Sequence, residues 1–131
     1  MALTITSINH VQVTVPPRLE DQCKAFYGSL LGLHEIEKPE PLKARGGAWY
    51  EIGPEANPVQ LHLSLEDGAD GNTSKRHVCY LVPDLGAAKA QFEASGIEIT
   101  DEATEPNGLK RFFIRDPAGN KIEIGMLDGD L

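Results

Sequence analysis

Two stretches of this chain can be laid on one another, and that repeat constrains the fold more than any other feature. His10-Val11 matches His77-Val78, and Val15-Pro16 matches Val82-Pro83, all at an offset of 67 residues. Pro54 matches Pro117, and Gln60-Leu61 matches Glu123-Ile124, at an offset of 63. The identities are few, but they keep their order and fall on the same succession of elements, which makes an internal duplication the better reading.

In the first half, residues 8–15 alternate as a strand. Ile8, His10, Gln12 and Thr14 lie on one face, and Val11, Val13 and Val15 on the other. Pro16-Pro17 ends it. A helix follows, with Leu19, Cys23, Phe26, Leu30 and Leu31 on one stripe and Gly32 as its stop. Residues 34–37, 48–52 and 59–65 then read as three strands. The second half repeats the plan: a strand over 77–82, a helix opened by Asp84 with Leu85, Ala88 and Phe92 inward, then strands over 97–100, 109–114 and 121–126. Asp116-Pro117-Ala118-Gly119-Asn120 makes the last tight turn. The polar, glycine-containing stretch 67–74 has no apolar period and reads as a surface linker. The predicted architecture is therefore α+β: one domain spanning 1–131, made of two paired βαβββ modules. These lie at about 5–66 and 76–127, joined by a linker at 67–75, and form a curved sheet with helices on its outer face.

Composition narrows the functions. With 131 residues the chain is the size of one domain, and 40% hydrophobic with 24% charged residues is an ordinary balance for a globular one. A net charge of −8 argues against nucleic acid or an anionic membrane as partner. It leaves room for a small anionic substrate held by a local arginine. No apolar run approaches the ~20 residues that span a bilayer. Met1-Ala2-Leu3-Thr4-Ile5-Thr6 lacks the basic-then-apolar order of a signal peptide, so the expected location is the cytoplasm. Cys23 and Cys79 sit inside apolar patterns and read as reduced thiols in a core.

Four polar groups occupy equivalent places: His10 and His77 near the starts of the first strands, Gln60 and Glu123 on the last strands. Each lies on the face opposite the apolar one. Two imidazoles and a carboxylate on strands match the ligand chemistry of divalent transition metals. A lone strand histidine is more often exposed or hydrogen-bonded, so it is the symmetry of the set that carries the reading. His62 shares a face with Gln60 and rivals it. Cys79, on the His77 side, reads as a small buried filler before a thiolate ligand or nucleophile. Arg111 is a candidate clamp for a substrate carboxylate, with Lys110 beside it leaving the inward face open. Trp49 and Tyr50 are candidates to wall a pocket, or simply to pack.

The segments Ile8-Asn9-His10-Val11, Phe26-Tyr27-Gly28, Leu31-Gly32-Leu33 and Arg115-Asp116-Pro117-Ala118-Gly119-Asn120-Lys121-Ile122-Glu123 resemble the vicinal-oxygen-chelate superfamily. It holds glyoxalase I, fosfomycin-resistance transferases, methylmalonyl-CoA epimerase, extradiol dioxygenases and bleomycin-resistance proteins. The resemblance covers nearly the whole chain and implies paired βαβββ modules. It also implies metal ligands at His10, Gln60, His77 and Glu123, with Glu123 as the catalytic carboxylate. Many glyoxalase I relatives carry glutamate where this chain has Gln60, which leaves that ligand open. The implied function is a divalent-metal (Ni, Zn, Mn, Co or Fe) enzyme of lyase or isomerase type, acting on a small molecule held through adjacent oxygens. A homodimer with a shared site is also implied. The alternatives are an Fe(II) dioxygenase, built on His10, His77 and Glu123 alone, and a metal-free drug-binding protein.

Overall fold

The computed structural model describes residues 1–127, in two compact units that meet in sequence at Ala69 and Asp70. In the first unit the strands are β1 (His10–Val15), β2 (His34–Ile36), β3 (Ala48–Ile52) and β4 (Val59–Leu65). They form one four-stranded sheet in the order β1-β4-β3-β2. β1 runs parallel to β4, with His10 opposite Gln60, while β3 is antiparallel to both β4 and β2. A parallel β1–β4 pair needs a long crossover, and the helical segment supplies its first part.

That segment is not one regular α-helix. Pro17–Leu19 is a 3₁₀ turn, Glu20–Ala25 is α-helical (α1), and Phe26–Leu30 widens into a π-helix in which Leu31 N–H donates to Phe26 O at 2.9 Å. Of the expected stripe Cys23 and Phe26 are buried and Leu19, Leu30 and Leu31 half-buried, while Tyr27, outside it, is buried too. Spacing alone does not distinguish i+4 from i+5 closure. Gly32 ends the helix at φ +70°. Tyr27 lies 6.3 Å, ring to ring, from Tyr50 of β3, whose hydroxyl donates to Lys24 O at 3.4 Å. The helix therefore covers the face carrying Tyr50, Leu61 and Leu63, and the opposite face carries Trp49, Gln60 and His62. A 3₁₀ segment, Glu40–Arg45, occupies a stretch expected to be loop.

The second unit repeats this topology with β5 (His77–Leu81), α2 (Leu85–Ala94), β6 (Thr100–Thr104), β7 (Leu109–Arg115) and β8 (Lys121–Leu127), in the order β5-β8-β7-β6. Asp84 caps α2, accepting from Ala87 N–H at 3.0 Å. Phe92 packs edge-on against Phe112 at 6.1 Å, which joins α2 to the sheet. One expectation is corrected here. The strand placed at 97–100 lies at Thr100–Thr104 and is bulged between Thr100 and Ala103, with Asp101 at φ 53°. The β-branched Ile97 and Ile99 carried the strand signal, but residues 97–99 lie ahead of the ladder, with Ile97 N–H donating back to Phe92 O at 2.9 Å. The stretch 67–74 is mostly exposed but is tied down at one point. Gly71 is buried, its N–H donates to Ala118 O at 3.2 Å, and Arg115 donates to Gly71 O at 3.1 Å and Gly119 O at 2.7 Å.

The Asp116 turn holds itself together. The carboxylate, 4% exposed, accepts from Ala118 N–H, Asn120 N–H and Asn120 Nδ2, each at 2.9 Å. This aims β8, and with it Glu123, back along β5 and β7.

Candidate metal-ligand pairs and their surroundings

In the second module β8 places Glu123 directly opposite Cys79 of β5 and Phe113 of β7, so all three side chains share one face. His77, two residues before Cys79, shares it too. His77 Nε2 lies 3.1 Å from Glu123 Oε1, and the Glu123 side chain is only 11% exposed. The other ring nitrogen is committed, because Nδ1–H donates to Lys75 O at 2.9 Å. A neutral imidazole with its proton on Nδ1 presents a lone pair at Nε2. That lone pair faces a carboxylate oxygen, another acceptor. Only a cation between them, a proton or a metal ion, makes the contact favourable. A backbone carbonyl on Nδ1 with Nε2 beside a carboxylate is the usual setting of a metal-ligating histidine, so the donor chemistry fits a divalent ion.

In the first module His10 repeats the arrangement through a side chain: Nδ1–H donates to Asn9 Oδ1 at 2.8 Å, leaving Nε2 as the acceptor. Gln60 stands opposite His10 across the β1–β4 ladder. His62, 7% exposed and opposite Gln12 on the same face, touches both. Its ring stacks on His10 at 4.2 Å and on Trp49 at 3.9 Å, and its Nε2–H donates to Gln60 Oε1 at 2.8 Å. Burial first, then His10 and Lys38, pull the His62 pKa below the ordinary histidine value, so the ring is neutral at pH 7.

Among the described residues no three His, Cys, Asp or Glu side chains form a group that could hold a metal ion. What each module brings together is a pair: His77 with Glu123, and His10 with Gln60.

The remaining expected residues fall as follows. Arg111, not Lys110, lies on the Glu123 side, with Nε 3.8 Å from Glu123 Oε2. It is not a free clamp: Nε and an Nη donate to Glu105 Oε1 at 3.2 and 2.9 Å, and the other Nη donates to Asp101 O. Trp49 braces His62, while Tyr50 belongs to the core. Cys79 is exposed, contrary to its reading as a buried filler. Partial desolvation of the sulfur and then the Glu123 carboxylate push its pKa up to about 11, the opposite of what a nucleophile needs. Relative to an ordinary thiol of pKa 9.0, the thiolate fraction at pH 8 falls about 100-fold. The higher basicity of that thiolate recovers about 10-fold. Labelling of Cys79 by a disulfide reagent at pH 8 is thus expected to run about 10-fold slower than for an unstructured cysteine, and to accelerate as pH rises toward 11. A rate equal to that of the unstructured thiol at pH 8 would refute the assignment.

Sequence reasoning missed Asn9, the Lys75 carbonyl, Glu105 and Phe113. Phe113 takes the edge of His77 at 5.3 Å and lies under Arg111 at 4.9 Å and Lys121 at 4.1 Å. The alternation of β7 placed Arg111 and Phe113 on one face and could have found Phe113.

Comparison with known proteins agrees with this fold. Residues 7–124 match the Glyoxalase/Bleomycin resistance protein/Dioxygenase superfamily. The chain belongs to that superfamily. It is 30% identical over 131 residues to the Arabidopsis thaliana protein named Glyoxylase I 4, an alignment covering 93% of this chain and 71% of that protein. Among solved structures, a glyoxalase family protein from Bacillus anthracis is 35% identical with a TM-score of 0.84, covering 98% of this chain and all of that one. Lactoylglutathione lyase from Agrobacterium tumefaciens is 26% identical with a TM-score of 0.67, over 93% and 94% of the two chains.

Proposed function

We propose that this protein is a divalent-metal-dependent enzyme of glyoxalase type, a lyase or isomerase for a small substrate with two adjacent oxygens. The observation that carries the reading is the His77–Glu123 pair, whose facing acceptor atoms call for a cation between them. His10, Gln60, His77 and Glu123 are the residues that would hold the ion. When bound, it would supply Lewis-acid polarisation of the substrate oxygens. Glu123 is the group placed to take and return a proton. Oε1 is engaged by His77, which leaves Oε2, beside the Arg111 charge at 3.8 Å, as the atom for transfer. Glu105 and the Asp101 carbonyl fix Arg111, so its positive charge is already in place when the carboxylate changes charge.

We place the enzyme in the cytoplasm as a homodimer. The free thiol of Cys79 fits a reducing compartment. The exposed apolar Leu3, Ile5 and Ile8 ahead of β1 fit a surface that a second copy covers.

The test is titration of the metal-free protein with Ni, Co, Zn, Mn and Fe(II) by calorimetry, followed by assay of each form for turnover of lactoylglutathione. Tight binding with turnover in at least one form is the expected result. A protein that takes up none of these ions would overturn the reading.

A further inference from the structure

The two modules hold their ligand pairs by different means. In the second, His77 Nε2 lies directly against the Glu123 carboxylate at 3.1 Å. In the first, a third side chain touches both members of the pair. That side chain is His62, which stands opposite Gln12, one pair further along the same face. At the equivalent position of the second module, by the offset of 63, stands Gly125, which has no side chain. Any Cβ there would meet Leu109 at 2.7 Å and Cys79 Sγ at 3.5 Å.

Resting on the metal reading above, we propose that His62 is not a metal ligand but the positioning residue that locks Gln60 and His10 into one rigid ligand pair. Both its faces are covered, by His10 and by Trp49. Its Nε2–H is spent on Gln60 Oε1. One side chain thus touches both first-module ligands and is itself braced by an indole. An amide oxygen carries two lone pairs, so accepting from His62 orients Gln60 and leaves the second lone pair for an ion. An unbraced glutamine on a strand would lose rotamer freedom on binding the ion, and His62 removes that cost beforehand.

The experiment is His62→Phe, which keeps a ring between Trp49 and His10 and removes the donor, measured alone and combined with Gln60→Ala. Calorimetry with Co(II) is expected to show one ion per site still bound, with affinity lower by about 10- to 100-fold, the usual effect of losing a partner that orients a ligand. In the Gln60→Ala background the same change should cost nothing further. Unchanged affinity in His62→Phe, or losses that multiply in the double variant, would overturn the proposal.

A second readout needs no metal and no variant. In the metal-free wild type, nitrogen NMR should show His62 as the Nε2–H tautomer, and Gln60 should have a side-chain amide as ordered as the backbone. A mobile Gln60 amide overturns the proposal even if metal binds. An ordered one in a protein that binds no ion supports the lock and sinks the metal reading alone.

Discussion

Glu123→Gln is expected to remove tight metal binding and to lower turnover by about 10²- to 10⁴-fold, the usual range for losing a group that transfers the proton. The substitution conserves shape and deletes the charge. The Gln amide can donate to His77 Nε2, so the lone pair that faced a carboxylate oxygen at 3.1 Å finds a neutral partner instead of calling for a cation. The fold should therefore survive: Glu123 lies among side chains and carries no turn or cap. Metal content by elemental analysis together with thermal denaturation separates the two effects. Full metal occupancy with unchanged affinity in a folded Glu123→Gln protein would remove Glu123 from the ligand set. Loss of folding instead would show that the carboxylate is needed for structure.

The largest stability loss is expected at Gly47. Its φ is +77°, which costs an L-residue about 1–2 kcal/mol by itself. A Cβ at that position would also stand 2.0 Å from Leu63 O and 3.1 Å from Leu63 C, both backbone atoms of β4. No rotamer change relieves a backbone clash, so β3 and β4 must separate. Gly47 N–H would then draw away from Glu20, which accepts from it at 2.8 Å. Gly47→Ala should cost about 3–5 kcal/mol in denaturant unfolding, the range reserved for strain compounded with lost packing. Gly32→Ala is the control: the φ is +70°, but nothing lies within 4 Å of the added methyl, so only the conformational cost of about 1–2 kcal/mol is expected. Equal losses at the two glycines would show that φ alone, and not the approach of β4, sets the effect.

The site was legible to the extent that strand alternation governs it. Period-2 patterning placed His10, Gln60, His77 and Glu123 on polar faces, and the repeat tied them together. It also put His62 on the Gln60 face. Whether His62 competes with Gln60 or supports it depends on ring stacking and on which nitrogen carries the proton, and neither is written in residue spacing. Arg111 and Lys110 could not be separated until the register of β7 on β8 was known. Cys79 was misread because an apolar neighbourhood in sequence, Val78 and Tyr80, belongs to the other face of an edge strand. β6 was displaced because its position follows from a bulge and the left-handed Asp101, a tertiary accommodation that overrides the β propensity of Ile97 and Ile99.

That same β6 has a consequence for association. It is the outer strand of its sheet, and an open strand edge invites another chain to hydrogen-bond along it. Here the bulge interrupts the row of donors and acceptors, Asp101 turns the backbone out of the β region, and Glu102 sets a charge on an exposed strand. The second module is thereby capped on one side against stacking with its own copies into an extended sheet.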